Sequence, residues 1–141
     1  MRKSSFGNVV LCERVFQGEN NKHILCNTYS GDIVVQSLPA TVPLSVYLEV
    51  KSSRVGDESI NVEFLVNNQT VIGGSAIARS EKVGQIVVMI VPMFMANFDR
   101  NSTIKVKVTQ EGMQPTYAMT KTVTKGMLPT PQLPTASQQQ P

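Results

Sequence analysis

The chain has 141 residues, 41% of them hydrophobic and 16% charged, which suits one globular domain with its own core and argues against disorder along its length. Thirteen basic and ten acidic residues give a formal net charge of +3. The lysines and arginines are scattered singly, so the clustered basic face of a nucleic-acid binder is missing. No stretch approaches the roughly 20 apolar residues of a membrane-spanning helix. Gly7, Asn8, Glu13 and Arg14 interrupt what would be the apolar part of a secretion signal. The expectation is a soluble, cytoplasmic protein with no membrane or nucleic-acid partner.

Taken in order, the chain opens with two strand-like runs, Val9–Phe16 and Lys22–Tyr29, joined by the polar insert Gln17-Gly18-Glu19-Asn20-Asn21. They read as a β-hairpin. A turn centred on Glu19 sets Val15 opposite His23, Arg14 opposite Ile24 and Cys12 opposite Cys26. Facing cysteines form a disulfide if their geometry allows, but without a secretion signal a reduced pair is favoured. A turn at Ser30-Gly31-Asp32 precedes a short third strand, Ile33–Leu38. Pro39 and Pro43 bracket a linker expected to cross an edge or change sheets. Leu44–Val50 alternates, with Leu44, Val46, Leu48 and Val50 on one face and Ser45, Tyr47 and Glu49 on the other, as in a half-buried antiparallel strand.

After a polar loop, Lys51–Glu58, the residues Ile60, Val62, Phe64 and Val66 repeat the alternation, with Asn61 and Glu63 outward. The turn Asn67-Asn68 leads into Gln69–Ala78, where Gly73-Gly74 suggests a bulge, a bend or a close backbone approach. Gln85–Val91 is apolar on both faces, which predicts a central strand covered on two sides. Pro92–Phe98 reads as a Met- and Phe-rich connection. Ile104, Val106 and Val108 alternate with Lys105 and Lys107. A last strand near Thr116–Thr124 is expected to turn Tyr117, Met119 and Val123 inward. Residues 126–141 hold four prolines, three consecutive glutamines and no charge, and read as a flexible Pro/Gln-rich tail. The predicted organisation is a β-sandwich domain over residues 1–125 followed by the tail. Its eight or nine strands, at turn spacings of about ten residues, suit an all-β, two-sheet antiparallel β-sandwich of immunoglobulin- or C2-like shape.

Catalytic chemistry is hard to find. His23 is the one imidazole, and its three-residue separation from Cys26 puts the two on opposite faces of a strand. Two cysteines fourteen apart and one histidine lack zinc-site spacing. Asp57, Glu58 and Asp99 are too few for a calcium site and read as solvated loop charges. Glu13 shares its face with Leu11 and Val15, so it needs a distant partner or a place at a sheet edge. No catalytic residue, metal or cofactor is expected.

The strings Val10-Leu11-Cys12-Glu13-Arg14-Val15 and Ile24-Leu25-Cys26-Asn27-Thr28-Tyr29, followed by Pro39 and Pro43 before Leu44–Val50, resemble the start of a family of small bacterial domains of unknown function. The likeness covers roughly the first fifty residues. It implies a β-sandwich and a bacterial source, and no activity or site residues come with it. Two binding surfaces follow from the residues themselves. Met93, Phe94 and Met95, with Met89 and Phe98, form either an adaptable protein contact or part of the core. Tyr47, outward on its strand, is the best anchor for a small ligand or carbohydrate. The expectation is a non-enzymatic domain that binds an unidentified protein partner or itself, with a small-ligand or carbohydrate-binding module as the alternative.

Overall fold

Residues 2–127, the part that the computed structural model describes, form nine β-strands in two sheets, with no helix among them. In chain order these are β1 (Phe6–Gln17), β2 (His23–Thr28), β3 (Ile33–Val35), β4 (Ala40–Lys51), β5 (Gly56–Val66), β6 (Gln69–Ser80), β7 (Ile86–Phe98), β8 (Ser102–Gln110) and β9 (Thr116–Lys125). A four-stranded sheet runs β2-β1-β4-β7 and a five-stranded sheet β3-β9-β8-β5-β6. The second sheet is mixed rather than purely antiparallel, because β3 runs parallel to β9 with Ile33 beside Val123. The chain reaches β3 by leaving the first sheet, and so arrives in the direction of β9 rather than by a hairpin. The tail lies outside the described residues from position 128 onward.

The alternating strands supply the core. Leu44, Val46, Leu48 and Val50 of β4 meet Ile60, Val62 and Phe64 of β5 and Ile104, Val106 and Val108 of β8, all buried. Their period of two puts every second side chain into the space between the sheets. Glu58 is also on that inner face, and it is buried rather than solvated. The Ser53 amide and hydroxyl both donate to its carboxylate.

Asparagine pairs at left-handed φ make two of the hairpins. Asn67 and Asn68 form the two-residue turn between β5 and β6, with Val66 opposite Gln69. Asn20 and Asn21, also at left-handed φ, lie in a three-residue loop, Glu19-Asn20-Asn21, closed by Gly18 N donating to Lys22 O at 2.7 Å, with Lys22 N donating to Glu19 O inside it. That moves the centre of the turn from Glu19 to Asn20. Arg14, not Cys12, therefore faces Cys26, and Cys12 faces Thr28. Both cysteines are free. The slip is of two residues, so each side chain keeps its expected face. Glu13 finds its partner across this hairpin, where Asn27 Nδ2 donates to its carboxylate at 2.9 Å.

Bulges explain the remaining departures. In β7 an extra residue lies between the pairs Val46–Val91 and Leu44–Phe94. Inward positions therefore switch from Val87, Met89 and Val91 to Phe94, Ala96 and Phe98, and the expected connection is the second half of one strand. Ser45 Oγ donates to Val91 O at 2.6 Å where this bulge forms. In β9 the extra residue is Ala118, between the pairs Val106–Met119 and Lys107–Tyr117. Tyr117 is thereby turned outward, 51% exposed under the Lys105 ammonium, while Met119 and Val123 stay on the core side. In β6 the extra residue is Val71, and Gly73 and Gly74 pair regularly with Glu63 and Val62.

Pro43 lies inside β4 rather than in a linker. The last β1–β4 pair is Cys12–Ser45, so on that side β4 is unpaired at Pro43 and no ladder donor is lost. Tyr29 takes over there, and its hydroxyl donates to Pro43 O at 2.9 Å. Burial, with the Glu13 charge adding to it, pushes this hydroxyl from 10.0 up to about 12. Because the folded chain holds the proton to higher pH than the unfolded chain, the contribution is intact below pH 10 and lost as pH rises through about 12. Urea midpoints are expected to fall over that interval. Tyr29→Phe is expected to cost about 1 kcal/mol at neutral pH and to make the alkaline fall shallower.

Candidate functional site

The largest departure from the alternation pattern is β7. Apolar on both faces, it was expected in the middle of a sheet, yet it forms the free edge of the four-stranded one. All thirteen of its residues are uncharged. Across the gap runs β6, the edge of the other sheet and exposed for most of its length. The sandwich is open between them in an apolar cleft of about 320 Å³, with Val62, Ile72, Met89, Val91 and Pro92 among its walls. Gly74 helps to make this opening. It stands opposite Val62, where a side chain would point inward, and an added Cβ there meets nothing within 4 Å. Gly74→Val is therefore expected to raise stability by about 0.5–1 kcal/mol, through strand propensity and a partly filled cleft, as a higher urea midpoint would register.

The four residues singled out from the sequence divide between two places. Met93 and Met95 point outward from β7, 44% and 54% exposed. Phe94 points the other way, into the edge of the core, and packs edge-on against Phe64 with ring centroids 5.1 Å apart. The segment is thus divided, with Phe94 in the core and Met93 and Met95 exposed. Tyr47 is outward on β4, as its alternation requires, but it is not an isolated aromatic.

A second concavity surrounds Tyr47. Along β1, Gln17 is seven residues beyond Val10, the partner of Tyr47, and a straight strand would carry it roughly 23 Å away. Yet His23, paired with Gln17, has its ring 5.2 Å from that of Tyr47. The β1–β2 hairpin therefore folds back over the outer face of its own sheet, which also accounts for the complete burial of Cys12 on that face. Beneath the hairpin tip is a cleft of about 520 Å³ lined by Gln17, Asn21, His23, Tyr47 and Glu49, with Ile86, Val88 and Ile90 of β7 along one wall.

Glu49 is held in place at both oxygens. Tyr47 Oη donates to Oε2 at 2.7 Å, and Asn8 N donates to Oε1 at 2.9 Å. The Tyr47 hydrogen bond, with the Asn8 amide second, holds the Glu49 carboxyl below the usual range; the same bond pushes the Tyr47 hydroxyl from 10.0 up to about 12. Gly7 makes room for this contact, since a Cβ there would come 2.5 Å from Glu49 Oε1. The outward spacing of Tyr47 and Glu49 was visible in the sequence. His23 and Asn8 were not, because nothing in the pattern reveals that the hairpin folds back.

No protein-family model matches the chain, and comparison with curated proteins found no match. Among the described residues, no group of three or more His, Cys, Asp or Glu side chains is placed to hold a metal ion, and no helix is long and apolar enough to cross a membrane.

Proposed function

We propose that this is a non-enzymatic, cytoplasmic protein-binding domain, an immunoglobulin- or C2-like sandwich that associates with a second copy of itself through β7. The observation that carries the reading is the free edge of β7: thirteen residues, apolar on both faces, with no charged side chain. Exposed edges are usually blunted by lysine, proline or a cover. Pro92 is the one such residue in β7. A strand without charge can lie antiparallel to its own copy about a two-fold axis with no like charges opposed. Pairing β7 with β6 of another copy is head-to-tail and would build a ring or a filament rather than a two-fold dimer. The non-enzymatic part is supported by Cys12, since burial raises its thiol above the ordinary 9.0 and away from nucleophile chemistry.

Amide hydrogen exchange tests the reading directly. Protection of β7 amides is expected to rise with protein concentration while that of β6 stays constant. Concentration-independent exchange in β7 would sink it.

A second reading, a small-ligand-binding module, is favoured by one specific observation. Tyr47, the outward aromatic, lines a formed cleft beside a carboxylate held from two sides.

A further inference from the structure

The geometry points to the cleft beneath the β1–β2 hairpin as a site for an organic cation, a primary ammonium or guanidinium group on a short aliphatic stem. This rests on the small-ligand reading and gives it a chemical class. Glu49 is the one formally charged residue in the lining, and no lysine or arginine lines the cleft. Among the described residues Glu49 also takes part in no ion pair, whereas Asp57, Glu63 and Glu111 each do. Its hydrogen bonds come from neutral donors, the Tyr47 phenol and the Asn8 backbone amide, with a smaller contribution from the Asn8 side chain. The two carboxylate oxygens together accept up to four hydrogen bonds, so the carboxylate retains unused acceptor capacity toward the cleft. The cleft therefore concentrates one negative charge in a protein whose formal net charge is +3.

The rest of the lining complements that charge. The aromatic rings of Tyr47 and His23, tilted at 59° to each other, form a second wall, and the face of an aromatic ring attracts a cation. Ile86, Val88 and Ile90 offer apolar surface for methylene groups. Gln17 and Asn21, at the hairpin tip, supply carbonyl acceptors for further N–H groups. A neutral sugar would use the rings but leave the carboxylate without its counter-charge. An anion would be repelled.

Two sources share this chemistry, a free diamine and a lysine or arginine side chain of a peptide. The test follows the Tyr47, Glu49 and His23 resonances of the full chain by NMR in three titrations: 1,5-diaminopentane, the capped tripeptide Gly-Lys-Gly, and maltotriose. At least one of the two amine probes is expected to shift them saturably, and the tighter one identifies the source. Glu49→Gln is expected to weaken that binding at least tenfold, and Tyr47→Phe, which keeps the ring, by less. Gly7→Ala gives an independent variant. Its methyl group displaces the Glu49 carboxylate and comes 3.1 Å from Glu49 Cβ and 3.4 Å from Ile86 Cδ1, outside the core, so it should weaken binding at a smaller cost to the urea midpoint than a core substitution. If maltotriose binds and the amines do not, the cation class is overturned while the small-ligand reading stands. If no probe moves these resonances, both fall. Undiminished amine binding in both Glu49→Gln and Gly7→Ala would also overturn the proposal.

Discussion

Phe64→Ala is expected to cost about 3–5 kcal/mol of folding stability, read as a lower urea midpoint at unchanged slope. Phe64 is fully buried on β5, the strand next to the β6 edge of the five-stranded sheet, between Val106 of β8 and Ile72 of β6. Its ring also meets Phe94 of β7 edge-on at 5.1 Å and 75°. Such aromatic pairs add about 0.5–1.5 kcal/mol beyond the area they bury. This contact bridges the two sheets beside the open cleft, so the space left by the ring cannot be refilled from the β6–β7 side without moving an edge strand. The exposed neighbour Met95 provides the control, and Met95→Ala is expected to change stability by no more than about 0.5 kcal/mol. A loss below about 1 kcal/mol for Phe64→Ala would contradict the packing described for this end of the sandwich.

Met93→Lys is expected to abolish self-association while leaving the monomer folded. Met93 is near the middle of β7 and points to solvent, so lysine there is tolerated by the isolated domain. A near-symmetric antiparallel pairing of two β7 strands, however, brings the two introduced ammonium groups close together. It also adds the residue that natural edge strands use to discourage pairing. The expected signature is a monomer at concentrations where the unmodified chain is paired, with the same urea midpoint when both are measured as dilute monomers. Met93→Leu, which keeps the apolar surface, is expected to associate as before. Equal association by the lysine variant would remove β7 as the contact.

Much of the framework was legible in the sequence because it depends on period-two alternation. Leu44 to Val50, Ile60 to Phe64 and Ile104 to Val108 bury the residues that their spacing predicts. Where the reading missed, the cause is local and physical. The first turn was centred on Glu19, although Asn20-Asn21 is the pair that accepts left-handed φ. That turn chemistry moves the centre off Glu19, and the closing Gly18–Lys22 hydrogen bond, which leaves a three-residue loop centred on Asn20, sets the observed register. The bulges at Val71, Ala118 and within β7 insert single residues whose presence alternation alone does not mark, and the inward face of Tyr117 was misread for that reason.

The error over β7 carries more information. A strand apolar on both sides normally means cover on both sides, and periodicity reports that demand without saying whether the same chain meets it. Here Ile86, Met93 and Met95 remain exposed on a sheet edge, so the unmet demand becomes the argument for a partner. The candidate cleft was half legible for a different reason. Tyr47 and Glu49 are two apart on one strand, and their shared outward face follows from spacing. His23 and Asn8 join them through the folding-back of a hairpin and the room left by Gly7, which are tertiary facts.

The central claim is that β7 is covered by a second copy of the chain. Sedimentation velocity of the unmodified protein over a hundredfold concentration range tests it most directly. The account predicts a shift from the 15.4 kDa monomer toward twice that mass, with no larger species, since a two-fold pairing closes on itself. A strict monomer at the highest concentration would contradict it.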